Sequence, residues 1–445
     1  MPNLASRVPR SMQRYARALE LLPGGTQLVS RRPTRFAHGV SPIYAARAKG
    51  ARFWDIDGHE YIDWVSGIGA IILGYADPVV DEAVVRQIGL GTIYSINHEL
   101  EIELAELLCR LVPCAEMVRY AKCGGEACAM AVRIARGVTG RDKILFSGYH
   151  GWHDWYLAAN HDAAGLDSHL FPGIDPIGVP TALAGSAIPF PYGDLAALGE
   201  RMDQQRGRLA AVIMEPLRSQ EPPSGYLAGV AALCREQGVP LIFDEVSTGF
   251  RFSPGGVQPV IGVTPDMVVF AKSISNGYPM AAVVGRREMM EPSGRMFISS
   301  TYWSDTIGLR AALTTLQEIE RRDTPKYLAR LGATLKKRLT DAAARAGLDV
   351  VCGGLAVHPH LHFGESDPAV VRKLSTLYIQ EMAKRGCHGY ASFYLNGAQG
   401  DAEVEQTVAA AEETFAILAR GVEQGTLDDL LECDLTQDSF RRIVR

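Results

Sequence analysis

Short runs of apolar residues recur through the middle of the chain and alternate with longer stretches of helical periodicity. Each run is apolar at successive positions, as is typical of strands that are covered on both faces of a sheet. The predicted strands are residues 143–146, 209–214, 240–243, 267–270 and 281–284. Strands that alternate with helices predict an α/β protein with parallel pairing. Ligands of such sheets bind beyond the carboxyl ends of the strands, so we expect functional residues just after each run.

The two ends of the chain follow a different pattern. Asp57-Gly58 suits the turn of a hairpin between residues 51–54 and 61–65. Towards the C-terminus, two short strand candidates lie at residues 348–352 and 358–363. Helical patterns flank them, at residues 326–346, 368–384 and 402–420. We therefore predict a large domain from residues 66–322 and a smaller α+β domain, to which residues 1–65 and 323–445 contribute.

Composition and charge exclude several function classes. The 445 residues are 47% hydrophobic, which supports a packed core large enough to form a buried pocket. Forty-five Lys and Arg residues stand against fifty Asp and Glu residues, and the formal charge of −5 provides no general attraction for a nucleic acid backbone. The apolar runs are far shorter than the roughly eighteen residues of a membrane span. The arginine-rich start lacks the apolar core of a secretory signal, so we expect a cytoplasmic enzyme without nucleic acid or membrane partners.

The eight cysteines show neither CxxC pairs nor metal-finger spacing. We expect them to be reduced thiols. Cys123 and Cys128 are interpreted as small apolar fillers near a helix start. His150 and His153 lack the i, i+4 helical spacing of a zinc motif, and no metal site is predicted.

Two charged residues directly follow predicted strands. Asp244 follows the strand at 240–243, and Lys272 lies just after the strand at 267–270. A carboxylate in such a desolvated position needs a partner. A desolvated lysine can lose its proton near neutral pH and become a nucleophile that forms a Schiff base with a carbonyl group. The alternative is a plain salt bridge between Asp244 and Lys272.

Paired glycines at Gly124 and Gly125 open a helical pattern at residues 127–136. Glycines before a helix let backbone N–H groups close on a phosphate, and the helix dipole favours the anion. The segment is therefore a candidate phosphate cradle. A simple turn with a helix cap is the alternative.

Aromatic and acidic residues mark two more strand ends. Tyr149 and His150 follow the strand at 143–146, where an aromatic ring could stack on a planar ligand. Glu215 follows the strand at 209–214, with a capped surface acid as its alternative interpretation. Together with the cradle, the acid and the lysine, these residues match what pyridoxal 5′-phosphate (PLP) requires: an anion site, ring stacking, a carboxylate for the pyridine nitrogen and a Schiff-base lysine.

The sequence with these residues resembles the class III, ω-type PLP-dependent aminotransferases of fold type I. Among them it resembles most the glutamate-1-semialdehyde aminomutase-like proteins. The resemblance covers most of the chain and is carried by residues 21–25, 54–63, 149–151, 242–251, 271–277 and 300–301. It implies a large PLP-binding domain with a mainly parallel seven-stranded sheet sandwiched by helices. It also implies a smaller α+β domain that is built from both chain ends.

The resemblance assigns catalytic roles to two residues. Lys272 would form the Schiff base with PLP and move protons between substrate and cofactor. Asp244 would keep the pyridine nitrogen protonated.

The resemblance also assigns contacts with the cofactor. Tyr149 would stack on one face of the ring and Val246 would press on the other, while Gly124 and Gly125 would hold the phosphate. The remaining residues placed at the cofactor are His150 and Glu215.

Ser300 and Thr301 match a segment that, in such proteins, reaches the phosphate from the neighbouring subunit. The resemblance therefore implies a homodimer with active sites at the subunit interface. Arg31 aligns with an arginine that holds the substrate carboxylate. Trp152 is a further candidate for substrate binding, because it enriches this segment in aromatic side chains.

Departures from the aminomutase pattern bear on the substrate. Cys123-Gly124-Gly125 replaces Ser-Gly-Thr, so one hydroxyl ligand to the phosphate is missing. The stretch 296–304 lacks the Gly-Thr-Leu-Ser-Gly-Asn type of sequence. Aromatic side chains with nearby acids suit sugars and amino sugars. The resemblance in this segment therefore implies an aminomutase-like aminotransferase that moves an amino group between an amino acid or amino sugar and a ketone or aldehyde, in amino-sugar, aminoglycoside antibiotic or polysaccharide biosynthesis.

Several alternatives remain open on the same residues. The scaffold could support elimination or dehydration, epimerisation, or glutamate-1-semialdehyde 2,1-aminomutase chemistry. A binding protein without turnover is a further alternative, and the presence of both Lys272 and Asp244 argues against it. A cofactor-independent Schiff-base lyase that uses Lys272 alone would leave Asp244 and the Gly124-Gly125 loop without a role.

Overall fold

The computed structural model of the chain describes residues 6–161 and 175–437. The chain divides into two compact units. Of the described residues, 6–77 and 327–437 belong to the terminal unit. The central unit comprises 78–161 and 175–326.

The strands of the described residues are numbered along the chain. They are β1 (Ala45–Lys49), β2 (Arg52–Asp55), β3 (Glu60–Asp63), β4 (Met117–Ala121), β5 (Lys143–Ser147), β6 (Ala187–Pro189), β7 (Leu209–Met214), β8 (Leu241–Asp244), β9 (Met267–Phe270), β10 (Ala281–Gly285), β11 (Val350–Leu355), β12 (His358–Phe363) and β13 (Cys387–His388).

The α-helices are numbered in the same way. They are α1 (Pro9–Leu21), α2 (Ser66–Gly69), α3 (Pro78–Leu90), α4 (Leu100–Leu111), α5 (Gly124–Thr139), α6 (Asp154–Leu157), α7 (Leu195–Gln204), α8 (Tyr226–Glu236), α9 (Gln258–Ile261), α10 (Arg287–Met290), α11 (Thr306–Arg321), α12 (Thr324–Arg345), α13 (Pro368–Lys384), α14 (Asp401–Gln424) and α15 (Leu427–Leu430).

The central unit is built on a seven-stranded sheet in the order β4-β10-β9-β8-β7-β5-β6. Strands β9, β8, β7, β5 and β6 pair in parallel, which confirms the α/β prediction. Strand β10 is the exception, because it is antiparallel to both β9 and β4. Residues 271–280 make too short a link between β9 and β10 for the crossover of a dozen or more residues that parallel neighbours need.

Helix α5 covers part of this sheet with small side chains. Ala127, Ala131 and Ala135 recur every four residues, so they share one face of the helix, and all three are fully buried. The helix packs against β7, β9 and β10. The small residues let the backbone of α5 approach the sheet closely, which places the start of the helix near the strand ends.

Two strands of the central sheet were not predicted from the sequence. Strand β4 is only half-buried over its first four residues and contains Arg119, whose guanidinium donates to Ser293 and to the carbonyl of Ile298. Strand β6 is three residues long and ends at Pro189. Neither segment has the continuous apolar character that identified the other strands.

The terminal unit has two small sheets. The first has the order β1-β2-β3-β13, and the antiparallel β2–β3 pair confirms the predicted hairpin around Asp57-Gly58. Strand β13, from the C-terminal part of the chain, pairs in parallel with β3. Strands β11 and β12 form a separate antiparallel pair.

Among the residues that the structure describes, no helix combines the length and the apolar character needed to cross a bilayer.

Candidate active site

Four parallel strands bring polar residues to one edge of the central sheet. Strand β8 ends at Asp244, β7 is followed by Glu215, β5 is followed by the loop that carries Tyr149, and β9 is followed two residues later by Lys272. Carboxyl ends of parallel strands share an edge, so these side chains belong to one region. The edge is where the sequence predicted a ligand site.

Asp244 is held by three groups on its two carboxylate oxygens. His150 Nδ1 lies 2.7 Å from Asp244 Oδ2, and the thiol of Cys128 donates to the same oxygen at 3.4 Å. The backbone N–H of Val246 donates to Asp244 Oδ1 at 2.9 Å. The side chains of Asp244 and His150 are buried, with 3% of the Asp244 side chain exposed. The contacts fix the direction of the carboxylate and compensate part of the cost of its burial.

Cys128 contributes a contact that sequence reasoning missed. Burial, followed by the nearby charge of Asp244, raises the pKa of the Cys128 thiol well above its usual range. The thiol is therefore protonated and available as a donor. Cys128 stands one helical turn after Gly124, on the same face of α5, and that spacing could have pointed to it.

Cys128, His150 and Asp244 bring one sulfur, one nitrogen and one oxygen atom within 4.8 Å of one another. Such a group could in principle hold a metal ion. We interpret it as a support for the carboxylate, because His150 Nδ1 and Asp244 Oδ2 bond to each other directly.

Lys272 has a partner of its own at the strand edge. Its ammonium group donates to Ser247 Oγ at 2.8 Å. The backbone φ of Lys272 is +48°, a left-handed conformation that non-glycine residues seldom adopt and that is concentrated at functional sites. The hydrogen bonds of Asp244 are with other groups, so the structure gives no support to a plain salt bridge between the two. Sequence reasoning did not assign Ser247 a role, although Ser247 lies in the segment that follows β8.

The start of α5 lies against the segments that follow β8 and β9. A Cβ atom added to Gly124 would lie 2.8 Å from Val246 Cγ1 and 3.5 Å from Ala271 Cβ. The residue before the helix, Cys123, forms no side-chain cap, so the first N–H groups of α5 are open to an anion. A Cβ atom on Gly125 would lie 3.2 Å from the Cα of Gly151, in the loop that carries Tyr149. The two glycines thus allow a close approach of backbone segments around an anion site.

Tyr149 and Glu215 are neighbours at this edge. The backbone N–H of Tyr149 donates to Glu215 Oε2 at 3.4 Å. Tyr149 is 39% exposed, and its ring packs edge-on against Tyr156, with 5.9 Å between ring centroids. Glycine is required at Gly148, where φ is +122° and a Cβ atom would lie 2.6 Å from Glu215 Oε2. The partly exposed tyrosine is therefore accessible to a planar ligand at this edge.

Three predicted residues of the central unit lie on its surface. Trp152 is 70% exposed and stacks on His153, with 4.7 Å between ring centroids. Ser300 and Thr301 are both exposed. Their predicted roles in substrate and phosphate binding therefore remain proposals.

Arg31 belongs to the terminal unit and lines a cavity of about 470 Å³ there. Three tyrosines share the lining: Tyr15, Tyr44 and Tyr75. Another lining residue, Ile68, has φ of +61°, which is unusual for a β-branched side chain. A guanidinium group beside tyrosines suits an anionic ligand, and the assignment of Arg31 to the substrate remains a proposal.

The described residues fit the cofactor predicted from the sequence. A lysine held by Ser247, a fixed buried carboxylate and a helix start with close glycine contacts meet at one sheet edge. These are the groups needed to bind an aldehyde carbon, a pyridine nitrogen and a phosphate.

The chain is similar to known proteins in both sequence and fold. The family model of class III aminotransferases matches residues 35–353. A 3-aminobutyryl-CoA aminotransferase of Cloacimonas acidaminovorans is 33% identical over 424 residues, which cover 92% of this chain and 97% of the relative. A glutamate-1-semialdehyde 2,1-aminomutase of Sorangium cellulosum is 36% identical over 442 residues, with 93% and 98% covered. The PLP internal aldimine form of the FumI protein of Sphingopyxis sp. MTA144 superposes with a TM-score of 0.84 at 25% identity, covering 93% of this chain and 97% of that one.

Proposed function

The chain belongs to the class III aminotransferase family, and we propose that it transfers an amino group from an amine donor to a ketone or aldehyde acceptor. It has fold type I, and its cofactor is PLP. When bound, PLP supplies an electron sink for negative charge on the substrate carbon next to the nitrogen. The observation that carries the proposal is the arrangement at the sheet edge, where a supported Asp244 lies at the end of β8 and Lys272 follows the neighbouring strand β9.

Lys272 and Asp244 have complementary proposed roles. Lys272 Nζ is the group that binds the cofactor covalently and that accepts and returns the proton of the substrate carbon. Ser247 supports this role, because its hydroxyl already holds the amine in one position. Asp244 holds a proton at the pyridine nitrogen, and its bonds to His150, Cys128 and Val246 keep the carboxylate directed.

The remaining cofactor contacts are proposed from their places at the same edge. Gly124 and Gly125 present the open N–H groups of α5 to the phosphate. Val246, which would touch a side chain at Gly124, forms one wall of the ring site, and Tyr149 forms the other. Glu215 is proposed at the polar edge of the ring, where it accepts from the Tyr149 backbone.

We also propose a homodimer with active sites at the subunit interface. The central unit exposes large apolar side chains that a second copy could cover, among them Ile96, Phe297 and Tyr302. Ser300 and Thr301 lie between the last two in sequence. Their exposure suits a contact with the phosphate site of the partner subunit.

The substrate is proposed to be an amino acid or amino sugar, with a role in amino-sugar, aminoglycoside antibiotic or polysaccharide biosynthesis. The exposed rings of Trp152 and Tyr302 support this proposal, since aromatic surfaces stack on sugar rings. A cytoplasmic location is part of it, because all eight cysteines are free, as expected in a reducing compartment. The names of the relatives add an aminoacyl-CoA and glutamate 1-semialdehyde as substrates to test.

A half-reaction experiment tests the proposal. The PLP-loaded enzyme is mixed separately with glutamate, alanine, 3-aminobutyrate, glutamate semialdehyde analogues and amino sugars, while absorbance and products are followed. Amino transfer predicts formation of pyridoxamine phosphate together with the matching carbonyl product. Release of ammonia or a leaving group without pyridoxamine phosphate would indicate elimination. An inverted substrate would indicate epimerisation, and a substrate with its amino group moved to the adjacent carbon would indicate aminomutase chemistry; each of these would replace the transfer assignment.

A further inference from the structure

Arg218 is a buried cation close to the strand-end site, and neither the family assignment nor the proposed function uses it. It lies three residues after Glu215, which directly follows β7. Only 3% of its side chain is exposed. Taking a guanidinium group out of water is costly, so a buried arginine is normally surrounded by hydrogen-bond acceptors.

The contacts of Arg218 fall well short of that expectation. Its Nε lies 3.5 Å from Glu215 Oε2, and the guanidinium group lies 5.5 Å from the centre of the Tyr192 ring. Within the described ranges, Nε is buried without a hydrogen-bond partner. The Tyr192 hydroxyl is already committed, because it donates to the carbonyl of Pro216 at 2.8 Å. A guanidinium group offers five N–H donors, so one loosely placed carboxylate leaves most of its capacity unused.

Arg218 is connected to Tyr149 through a single residue. Glu215 Oε2, its ion-pair partner, also accepts the backbone N–H of Tyr149. Tyr149 is 39% exposed, so a ligand can reach this region. An anion that enters beside Tyr149 would therefore meet a positive charge that is already desolvated and short of acceptors.

We propose that Arg218 anchors the substrate by binding a carboxylate group, so that the preferred amine donors are amino acids. This inference rests on the proposed amino-transfer function and narrows its substrate class. The guanidinium group keeps its ion pair with Glu215 through the Nε side and presents the remaining N–H donors to the substrate. A paired N–H···O contact of this kind is charge-assisted and orients the substrate as well as binding it.

The competing explanation is structural. Arg218 could serve only to neutralise Glu215 and to hold the segment after β7 in place. Its removal would then weaken the site for every amine alike. The two explanations differ in whether the loss depends on the substrate carboxylate.

The experiment compares two amines that differ in the carboxylate. The PLP-loaded enzyme reacts in single half-reactions with 3-aminobutyrate and with 2-aminobutane, and the rate divided by the apparent dissociation constant is measured for each. The variants are Arg218→Met, which keeps length and removes charge, and Arg218→Lys, which keeps charge and loses the planar fork. Arg206→Met is the matched control, because Arg206 is 69% exposed and pairs with Asp203 on the surface.

Arg218→Met should lower the rate divided by the apparent dissociation constant roughly 10- to 100-fold for 3-aminobutyrate. The same ratio for 2-aminobutane should be unchanged. For 3-aminobutyrate, the ratio in Arg218→Lys should lie between those of Arg218→Met and the unmodified enzyme. The ratios in Arg206→Met should equal those of the unmodified enzyme. An equal loss for both amines in Arg218→Met and Arg218→Lys would overturn the proposal in favour of the structural explanation. A carboxylate-specific loss in Arg31→Met without one in Arg218→Met would overturn it in favour of Arg31.

A binding measurement separates this proposal from the proposed function. Butanoate has the carboxylate but no amine, and its binding to the PLP-loaded enzyme is followed by the cofactor absorbance. Weaker butanoate binding in Arg218→Met would support the anchor even if neither amine undergoes the half-reaction, an outcome that would refute only the transfer assignment. Inorganic phosphate at equal ionic strength is the comparison anion. Arg218-dependent binding of phosphate in preference to butanoate would overturn the carboxylate assignment, and unchanged butanoate binding in the variant would overturn the anchor.

Discussion

His150 and Asp244 are joined by a direct contact of 2.7 Å between Nδ1 and Oδ2, and both side chains are almost completely shielded from solvent. They lie 94 residues apart in sequence, one after β5 and the other at the end of β8. The contact means that Asp244 is held from the side by an imidazole group. A carboxylate held in this way can direct its charge at one ligand atom without reorganisation.

The charge of Asp244 is the first testable element of this arrangement. Asp244→Asn keeps the size of the side chain but removes the charge, so we expect PLP affinity to fall roughly 10- to 100-fold and the rate of the half-reaction to fall with it. Titration of the apoenzyme with PLP, followed by absorbance, measures the affinity. Asp203→Asn, at a side chain 62% exposed, is the control. Equal affinity and rate in Asp244→Asn would remove Asp244 from the cofactor site.

Cys128 tests the support behind Asp244. Cys128→Ala removes the S–H donor, and the loss of one buried hydrogen bond of about 1 kcal/mol should weaken PLP binding roughly fivefold. Cys128→Ser retains a donor and should restore most of the affinity. PLP titration of the three proteins gives the comparison. If the alanine and serine variants bind PLP equally well, Cys128 is only a filler, as the sequence first indicated.

Lys272 is tested by removing its amine. Lys272→Ala should remain folded, retain PLP only noncovalently and turn over roughly 10²- to 10⁴-fold more slowly, because the proposed proton carrier is lost. Mass spectrometry after borohydride reduction detects the covalent link, and steady-state assays give the rate. Lys337→Ala serves as the control, since that lysine side chain is 78% exposed. Near-normal turnover in Lys272→Ala would contradict the proposed mechanism.

The fold was largely predictable because its central strands are buried on both faces. Strand β7 is buried at all six positions and β9 at all four, and a continuous apolar run is a strong local signal. The direction of β10 was not predictable from that signal. It depends on the short link to β9, and a run of apolar residues carries no information about direction.

The clearest sequence signal for a residue at the sheet edge is a charge that directly follows an apolar run. Asp244 and Lys272 meet that condition, and the structure places both at the same edge of the central sheet. Cys128 does not, because an apolar helix face accepts cysteine as a filler, and its contact with Asp244 spans 116 residues. The spacing from Gly124 indicates which face of α5 carries Cys128, but the partner of the thiol is fixed only when α5 docks on the sheet.

Gly124 tests how closely the helix start must approach the strand ends. Gly124→Ala would put a methyl group 2.8 Å from Val246 Cγ1, and overpacking of this kind costs about 1–3 kcal/mol. We expect weaker PLP binding by roughly 5- to 100-fold, together with a lower Tm. Gly89→Ala is the matched control, because that helical position has open space and should tolerate the methyl group. Normal PLP affinity and Tm in Gly124→Ala would show that the phosphate cradle accommodates a methyl group at this position.

Glu245 provides a prediction about pH. Its side chain is fully buried and accepts the backbone N–H of Val257 at 2.8 Å, and burial raises the pKa of Glu245 to about 8 from an ordinary value of 4.5. Between those two values the folded protein retains a proton that the unfolded chain has released. The contribution of protonated Glu245 to the free energy of unfolding is therefore fully present below pH 4.5. It is lost as pH rises towards 8, at up to about 1.4 kcal/mol per pH unit.

Glu245→Gln removes this titration while keeping an oxygen that can accept from Val257. We expect the Tm of the variant to fall less between roughly pH 5 and pH 8 than that of the unmodified protein, because other groups titrate equally in both. Differential scanning fluorimetry at one scan rate gives the two pH profiles. Glu236→Gln, at an exposed helical position, should leave the profile unchanged. Parallel profiles for Glu245→Gln and the unmodified protein would mean that the folded state does not hold the proton on Glu245, and that the buried carboxylate is stabilised in its charged form.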